Sequence, residues 1–534
     1  MRVLLIHPES PATFWTFRAA YEYLDCKTLV PPLGLITVAS LLPKDWELRL
    51  IDLATRPLTD GDWNWAEIVM VSGMIVQREG LLGVVREAKK RGKLIVAGGP
   101  YPTALPDEVT AAGCDFLVKG EGENTITLLL KALEEGKTGG VIEIDGKPDM
   151  VLSPVPRFDL LKIEDYLALS IQTSRGCPFD CEFCDIVNLY GRKPRYKSPD
   201  QVIDELDLIH RLGWRREVFI SDDNFIGNKA HAKAILQELI PWMKNHGYPF
   251  CFWTQVSVNL GQDVEMIDLM TAANFNTVFV GIESPDEAIL ALNSKFQNIR
   301  NPLAESIGSI NRNGLTVVGS FVIGFDGEEP GAGERICSFV EQAGIPMAML
   351  NTLQVLPNTR LWQRLEKEGR IRKDVTSGQS TGGRLNYVPS RPETEIMSEF
   401  VSAWEFLYEP SRFLARCYRY FLAMRPTRRA LGLEKDHGTP ASRSQGQPPF
   451  RAKVRDLINF LRLSWRHGVR PRYRFQYWRQ LLGMWRKNPS RLVQYLHVCG
   501  LGDNMVYLSE TVRTRVAEAE ECRVPTTKGL SVGN

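Results

Sequence analysis

The chain has 534 residues, 44% hydrophobic and 24% charged, a balance that suits a folded globular protein and excludes a disordered, collagen-like or coiled-coil chain. At roughly 150 residues per domain the length allows three or four domains, and no stretch approaches the ~18 consecutive apolar residues of a membrane-spanning helix. The net charge of +2 hides an asymmetry: residues 411–500 carry 20 Lys and Arg against 3 Asp and Glu, and the remainder carries 45 against 60.

The first ten residues hold too short an apolar run before His7 and Pro8 for a signal peptide and read as a buried first strand. Ten cysteines are too sparse for a secreted disulfide scaffold, which places the chain in a reducing cytoplasm. Strand patterns at 2–7, 47–52, 68–72, 94–98 and 116–119 alternate with helical ones at 34–42, 80–91 and 105–112. Such alternation implies parallel strands with crossover helices: an α/β, doubly wound, Rossmann-like domain over 1–140. Its ligand site belongs beyond the carboxyl ends of the strands. An irregular stretch around Gly139, Gly140, Pro154 and Pro156 marks a linker, taken as 141–165.

Over 166–390, six strand patterns (168–174, 218–222, 250–256, 277–282, 316–323 and 347–354) alternate with helices such as 199–212, 229–245 and 263–273. Six β/α units suit a partial (β/α)6 barrel rather than the full eight-fold one. From 391 to 534 the chain turns basic, aromatic and mainly helical, with helices at 397–408, 409–424, 450–465 and 475–486. A loose loop is expected at 427–449 and a frayed last dozen residues.

The most informative residues are Cys177, Cys181 and Cys184, spaced three then two apart on a loop just after a strand. Thiolates at that spacing can face one point, and they suit an Fe–S cluster or zinc. Structural zinc wants a fourth Cys or His close by, and none is near. Three cysteines on a 4Fe–4S cluster leave one iron open.

With Phe183 before its third cysteine, this motif resembles that of the radical S-adenosylmethionine (SAM) superfamily. The resemblance implies that the open iron binds the amino and carboxylate groups of SAM, and that one electron splits SAM into methionine and a 5′-deoxyadenosyl radical. Later segments sit where that family places its SAM contacts: Asp222-Asp223-Asn224, Gln255-Val-Ser257, Gly281-Ile-Glu283-Ser284, and Gly324-Phe325. The implied contacts are Phe183 in the cysteine motif and Asp223, Gln255, Ser257, Glu283, Ser284 and Gly324 at strand ends, where a barrel binds ligand. The 1–140 domain resembles the cobalamin-binding domain that precedes many such barrels. It offers Ser72, Gly73, Gly98, Gly99, Gly120, Glu121 and Gly122 after successive strands, although a flavin or nucleotide would fit such turns alone equally well. The Asp-x-His-x-x-Gly string that supplies a cobalt-ligating histidine is missing, and His7 is the only histidine before the barrel. Cobalamin is therefore expected base-off with no His ligand, which fits methyl transfer.

The basic tail mixes arginine with aromatics, as in Arg412 to Phe421 and Arg470 to Arg479. Nucleic-acid binding, a membrane surface and a plain helical domain with a solvated basic face all fit. Without a recognisable RNA- or DNA-binding module, the expectation is peripheral membrane contact through 411–500, at the inner face of the membrane, with Trp465, Tyr473, Trp478 and Trp485 at the interface. The domain order resembles the cobalamin-binding class B radical SAM methylases, most of all the hopanoid C-2 methylase group. That implies methylation of an unactivated carbon of a lipophilic small molecule from methylcobalamin, with an electron donor such as flavodoxin or ferredoxin. Two alternatives stay open: a cobalamin-dependent cyclase or rearrangement enzyme, and a methylase of a tetrapyrrole or tryptophan-like substrate. No acid or base residue stands out.

Overall fold

The computed structural model describes residues 1–16, 26–300, 302–375, 382–433 and 450–521. In β1 (Arg2–His7) all four residues from Val3 to Ile6 are fully buried, the signature of a strand covered on both faces. Alternate residues serve separate cores. Leu4 and Ile6 pack with Trp63, Leu81 and Val85, whereas Val3 and Leu5 pack with Leu35, Ala39, Ile126 and Leu129. Helices Asp60–Trp65 and Arg78–Lys90 therefore cover one face, and Leu33–Leu41 and Gly122–Glu134 the other. The sheet adds β2 (Glu47–Asp52), β3 (Ile68–Ser72), β4 (Leu94–Gly98), β5 (Phe116–Val118) and β6 (Gly140–Ile142), in the order β2-β1-β3-β4-β5-β6 and parallel throughout. This is the doubly wound domain expected. The short β6 extends it into the stretch read as linker.

After β7 (Ala168–Ile171), a small antiparallel hairpin of β8 (Ser174–Arg175) and β9 (Arg195–Tyr196) brackets the cysteine loop. β10 (Glu217–Ile220), β11 (Cys251–Val256), β12 (Phe275–Glu283), β13 (Thr316–Ile323) and β14 (Met347–Thr352) follow. These five and β7 form a second parallel sheet in sequential order, whose edge strands β7 and β14 do not pair. It is the six-stranded partial barrel expected. On β11, Phe252, Thr254 and Val256 are buried, while Cys251, Trp253 and Gln255 between them are half-buried. Trp253 stacks on Phe219 of β10 with ring centroids 3.9 Å apart, and Trp15 stacks on Trp253 at 6.2 Å. An aromatic wall thus joins the barrel to the first domain.

Helices Glu393–Leu407 and Pro410–Ala423 close over the last strands. Trp404 Nε1 donates to the Leu350 carbonyl at 3.1 Å, and Tyr420 OH donates to that of Leu315 at 2.9 Å. Helices Phe450–Gly468, Arg474–Lys487 and the 30-residue Leu492–Glu521 complete the region. Leu463, Met484, Tyr495 and Met505 from these helices belong to the same hydrophobic core as the barrel. The last helix was not anticipated, because its apolar residues spread around the axis without one clear stripe. Tyr473 differs from expectation: it is half-buried and its hydroxyl meets His467 Nδ1 at 3.2 Å, so it faces the body and not an interface. Most of the loop expected at 427–449, and the last dozen residues, lie outside the described residues. Among those described, no helix is long and apolar enough to cross a membrane.

Candidate active site

All seven residues singled out at the ends of β3, β4 and β5 line one cavity of about 490 Å³. Its far wall comes from the barrel side, through Gln172, Arg175, Tyr190 and Ser221, so the carboxyl ends of both sheets face a shared space. Gly99 shows why this turn needs glycine. Its φ is +97°, and a Cβ there would sit 2.3 Å from Ser72 Oγ. His7 also lines the cavity, but its Nε2 lies 3.0 Å from Gln77 Nε2. Gln77 is fixed in turn by donating to the Pro8 carbonyl at 2.5 Å and accepting from Met74 N at 2.9 Å. Burial holds the His7 pKa below its usual value, against the pull of Asp52, so the ring stays neutral. Glu121 lines the cavity as well, with its carboxylate engaged by two arginines. Arg175 reaches it at 2.7 Å and Arg195 at 2.7 Å, and Arg175 also pairs with Glu123 at 2.8 Å. These pairs, almost wholly buried, tie the first domain to the hairpin that carries the cysteine loop.

Cys177, Cys181 and Cys184 are free and half-buried. The loop is held from behind: Gly176 N donates to Asp223 Oδ2 at 2.8 Å, and Cys177 N to the Gly191 carbonyl at 3.3 Å. Burial pushes the Cys177 thiol up to about 11 and that of Cys184 higher still. Thiols so poorly solvated become thiolates only when a metal compensates their charge. Among the described residues no three His, Cys, Asp or Glu side chains converge on a single ion, whereas the thiolates of a cubane cluster each take a different iron. Three free cysteines on a braced loop fit a 4Fe–4S cluster that keeps an open iron. The glycine-lined cavity fits a large flat cofactor.

The implied SAM contacts sit at the ends of β10 to β13, around that loop. Burial pushes Asp223 up to about 7 while Gly176 N opposes the shift. Ser257 joins Asn224, which donates to its Oγ at 3.1 Å. Gln255 ends the half-buried row of β11, at the carboxyl end of the strand. Phe183 packs on Phe325, beside Gly324, with ring centroids 5.6 Å apart, linking the cysteine loop to the end of β13. Glu283, at φ +67°, pairs with Lys295. Ser284 is engaged differently: its Oγ accepts from Asp286 N at 3.1 Å in the turn that opens helix Glu287–Leu292. Sequence reasoning missed Arg175, Arg195, Lys295 and Gln297. For Arg175 a signal existed, since an arginine beside Gly176 and Cys177 on a loop this compact needs a carboxylate partner.

Three family models match the chain: the B12 binding domain over residues 25–130, the radical SAM superfamily over 171–340, and a domain of unknown function over 359–518. An uncharacterized methyltransferase of Synechocystis is 45% identical over 97% of this chain and 94% of its own length. The hopanoid C-2 methylase of Rhodopseudomonas palustris is 34% identical over 90% of this chain and 88% of its own. Among solved structures, the cobalamin-dependent SAM radical enzyme OxsB with aqua-cobalamin bound has a TM-score of 0.58 at 15% identity, covering 98% of this chain and 81% of that one, a likeness of fold. The two matched domains imply a 4Fe–4S cluster, SAM and cobalamin, the groups that the cysteine loop and the cavity fit. The chain therefore belongs to the cobalamin-binding radical SAM methylases and is a methyltransferase of that type.

Proposed function

We propose that this enzyme methylates an unactivated carbon of a lipophilic, hopanoid-like substrate at the surface of an anionic bilayer, on its cytoplasmic face, taking its electron from a flavodoxin or ferredoxin. The observation that carries this reading is the outer side of two basic helices. Leu457, Leu461 and Trp465 recur every four residues along Phe450–Gly468, and Phe475, Trp478, Leu482 and Trp485 every three or four along Arg474–Lys487. All seven are exposed, Phe475 by 74%. Each set forms a stripe on its helix. Around them Arg462, Arg470, Arg472, Arg479, Arg486 and Lys487 are exposed, and none meets a carboxylate among the described residues. Tryptophan and leucine interleaved with arginine make an interfacial helix face, and each such cation adds roughly 1 kcal/mol near anionic lipid. The 34% identity to a hopanoid C-2 methylase supports a substrate of that class.

Cobalamin is read as base-off with no histidine ligand, because the His7 lone pair is already engaged by Gln77. When bound, the cluster, SAM and cobalamin would supply the radical that takes a hydrogen from a C–H bond and the methyl group that replaces that hydrogen. The chain holds and orients them, and the wall of Trp15, Phe219 and Trp253 keeps an apolar boundary beside the site.

Co-sedimentation with anionic liposomes tests the reading. Full-length protein should pellet at 0.1 M salt and be released at 1 M, as the Debye length falls from about 10 Å to about 3 Å. The double variant Trp465→Glu/Trp485→Glu should stay in solution. Wild-type protein that ignores liposomes at low salt would move the substrate to a soluble molecule.

A further inference from the structure

We propose that Lys295 and Gln297 form an arm that raises the reduction potential of the cluster held by Cys177, Cys181 and Cys184, easing its one-electron reduction. The turn Phe296–Asn298 lies against the cysteine loop. Glu182 N donates to the Asn293 carbonyl at 3.1 Å, and Gln297 Nε2 donates to Cys181 Sγ at 3.6 Å. Asn298 Nδ2 anchors the turn on the carbonyls of Gly281 and Ile282, at 3.0 and 2.9 Å. Lys295 is buried, 7% exposed, with its ammonium on Glu283 and 5.7 Å from the ring centroid of Phe183. Phe183 lies between Cys181 and Cys184 in the chain, so the ammonium stands beside the segment that carries both.

A buried ion pair is seldom more stabilising than an apolar pair of the same volume, so this one, beside the cluster loop, calls for a role other than stability. Each electron added makes a thiolate-bound cluster more negative. A fixed cation close by, and an N–H aimed at a ligating sulfur, both favour the reduced form. Glu283 acts in the opposite sense, and Lys295 offsets it. The electron comes from the external one-electron donor; no bond or proton changes in this step.

The test is a redox titration of reconstituted full-length protein, followed by electron paramagnetic resonance with no substrate present. Lys295→Met should lower the reduced-to-oxidised ratio at a fixed potential about tenfold, which is about 59 mV for a one-electron couple. Gln297→Leu should shift it the same way by a smaller factor, Lys295→Arg should restore it, and Glu283→Gln should shift it the opposite way. A role limited to folding would not produce opposite signs. If Lys295→Met fails to hold four irons, Gln297→Leu, which leaves the ion pair in place, decides alone. Potentials equal to wild type in cluster-loaded variants would overturn the proposal.

Discussion

Replacing Arg175 by Met removes the guanidinium at the centre of the contact between the two domains. Arg175 holds Glu121 at 2.7 Å, Glu123 at 2.8 Å and Gln172 Oε1 at 2.8 Å. Glu121 keeps Arg195, but Glu123 loses its cation with its side chain only 3% exposed. Leaving one member of a buried pair uncompensated costs about 3–5 kcal/mol, a large share of the ~5–15 kcal/mol that holds a domain folded. The pH dependence carries a sign. In the wild type burial raises the Glu123 pKa, but the charge and hydrogen bond of Arg175, with smaller hydrogen bonds, together keep it below its ordinary value. That contribution is present above the ordinary carboxylate range and is lost as pH falls through the depressed folded value. In Arg175→Met burial, the largest influence on this carboxyl, loses its main opponent and raises the pKa, so the defect should be largest at pH 7–8 and shrink toward pH 5. Urea unfolding at pH 7.5 and 5.5 measures this. Arg175→Met/Glu123→Gln should recover much of the loss, because Glu121 keeps Arg195 and no buried charge is left without a partner. A loss below about 1 kcal/mol, or one independent of pH, would refute the argument.

Gly99→Ala forces a Cβ to 2.3 Å from Ser72 Oγ at φ +97°; cobalamin retained after desalting should fall about tenfold, ~1.4 kcal/mol, and retention as in the wild type would show that the turn is not part of the cradle. Cys181→Ala should abolish both the iron content and SAM cleavage of anaerobically reconstituted protein; a full cluster in that variant would sink the ligand assignment. Glu217 is pushed up to about 7 from 4.5 by burial, so the folded state holds a proton that the unfolded state releases between those values. Stability should decline as pH rises through that window, Glu217→Gln should flatten the slope, and thermal midpoints of both proteins between pH 5 and 8 show whether it does.

The strands and the cysteine loop were legible in the sequence because their signals are local. β1, β3 and β4 are apolar runs and β2 alternates, and each ends where its pattern ends. Helix Gly122–Glu134 is hidden behind the Gly-Glu-Gly-Glu turn that opens it, and β6 is too short to show a period. What pattern reading could not reach were polar partners that only the fold brings together. Glu121 meets Arg195 across 74 residues, and Gln297 meets Cys181 across 116. Tyr473 sits among exposed arginines in sequence and still turns inward, because His467 one helix earlier offers its hydroxyl a partner.

SAM carrying a trideuterated methyl group shows whether the enzyme transfers methyl to carbon. Reconstituted enzyme, a strong one-electron reductant and a hopanoid lipid in detergent should give a product bearing one trideuterated methyl group. Each turnover should release one 5′-deoxyadenosine and one S-adenosylhomocysteine. A product with no added carbon, formed while 5′-deoxyadenosine accumulates alone, would contradict the account and mark a rearrangement or cyclisation instead.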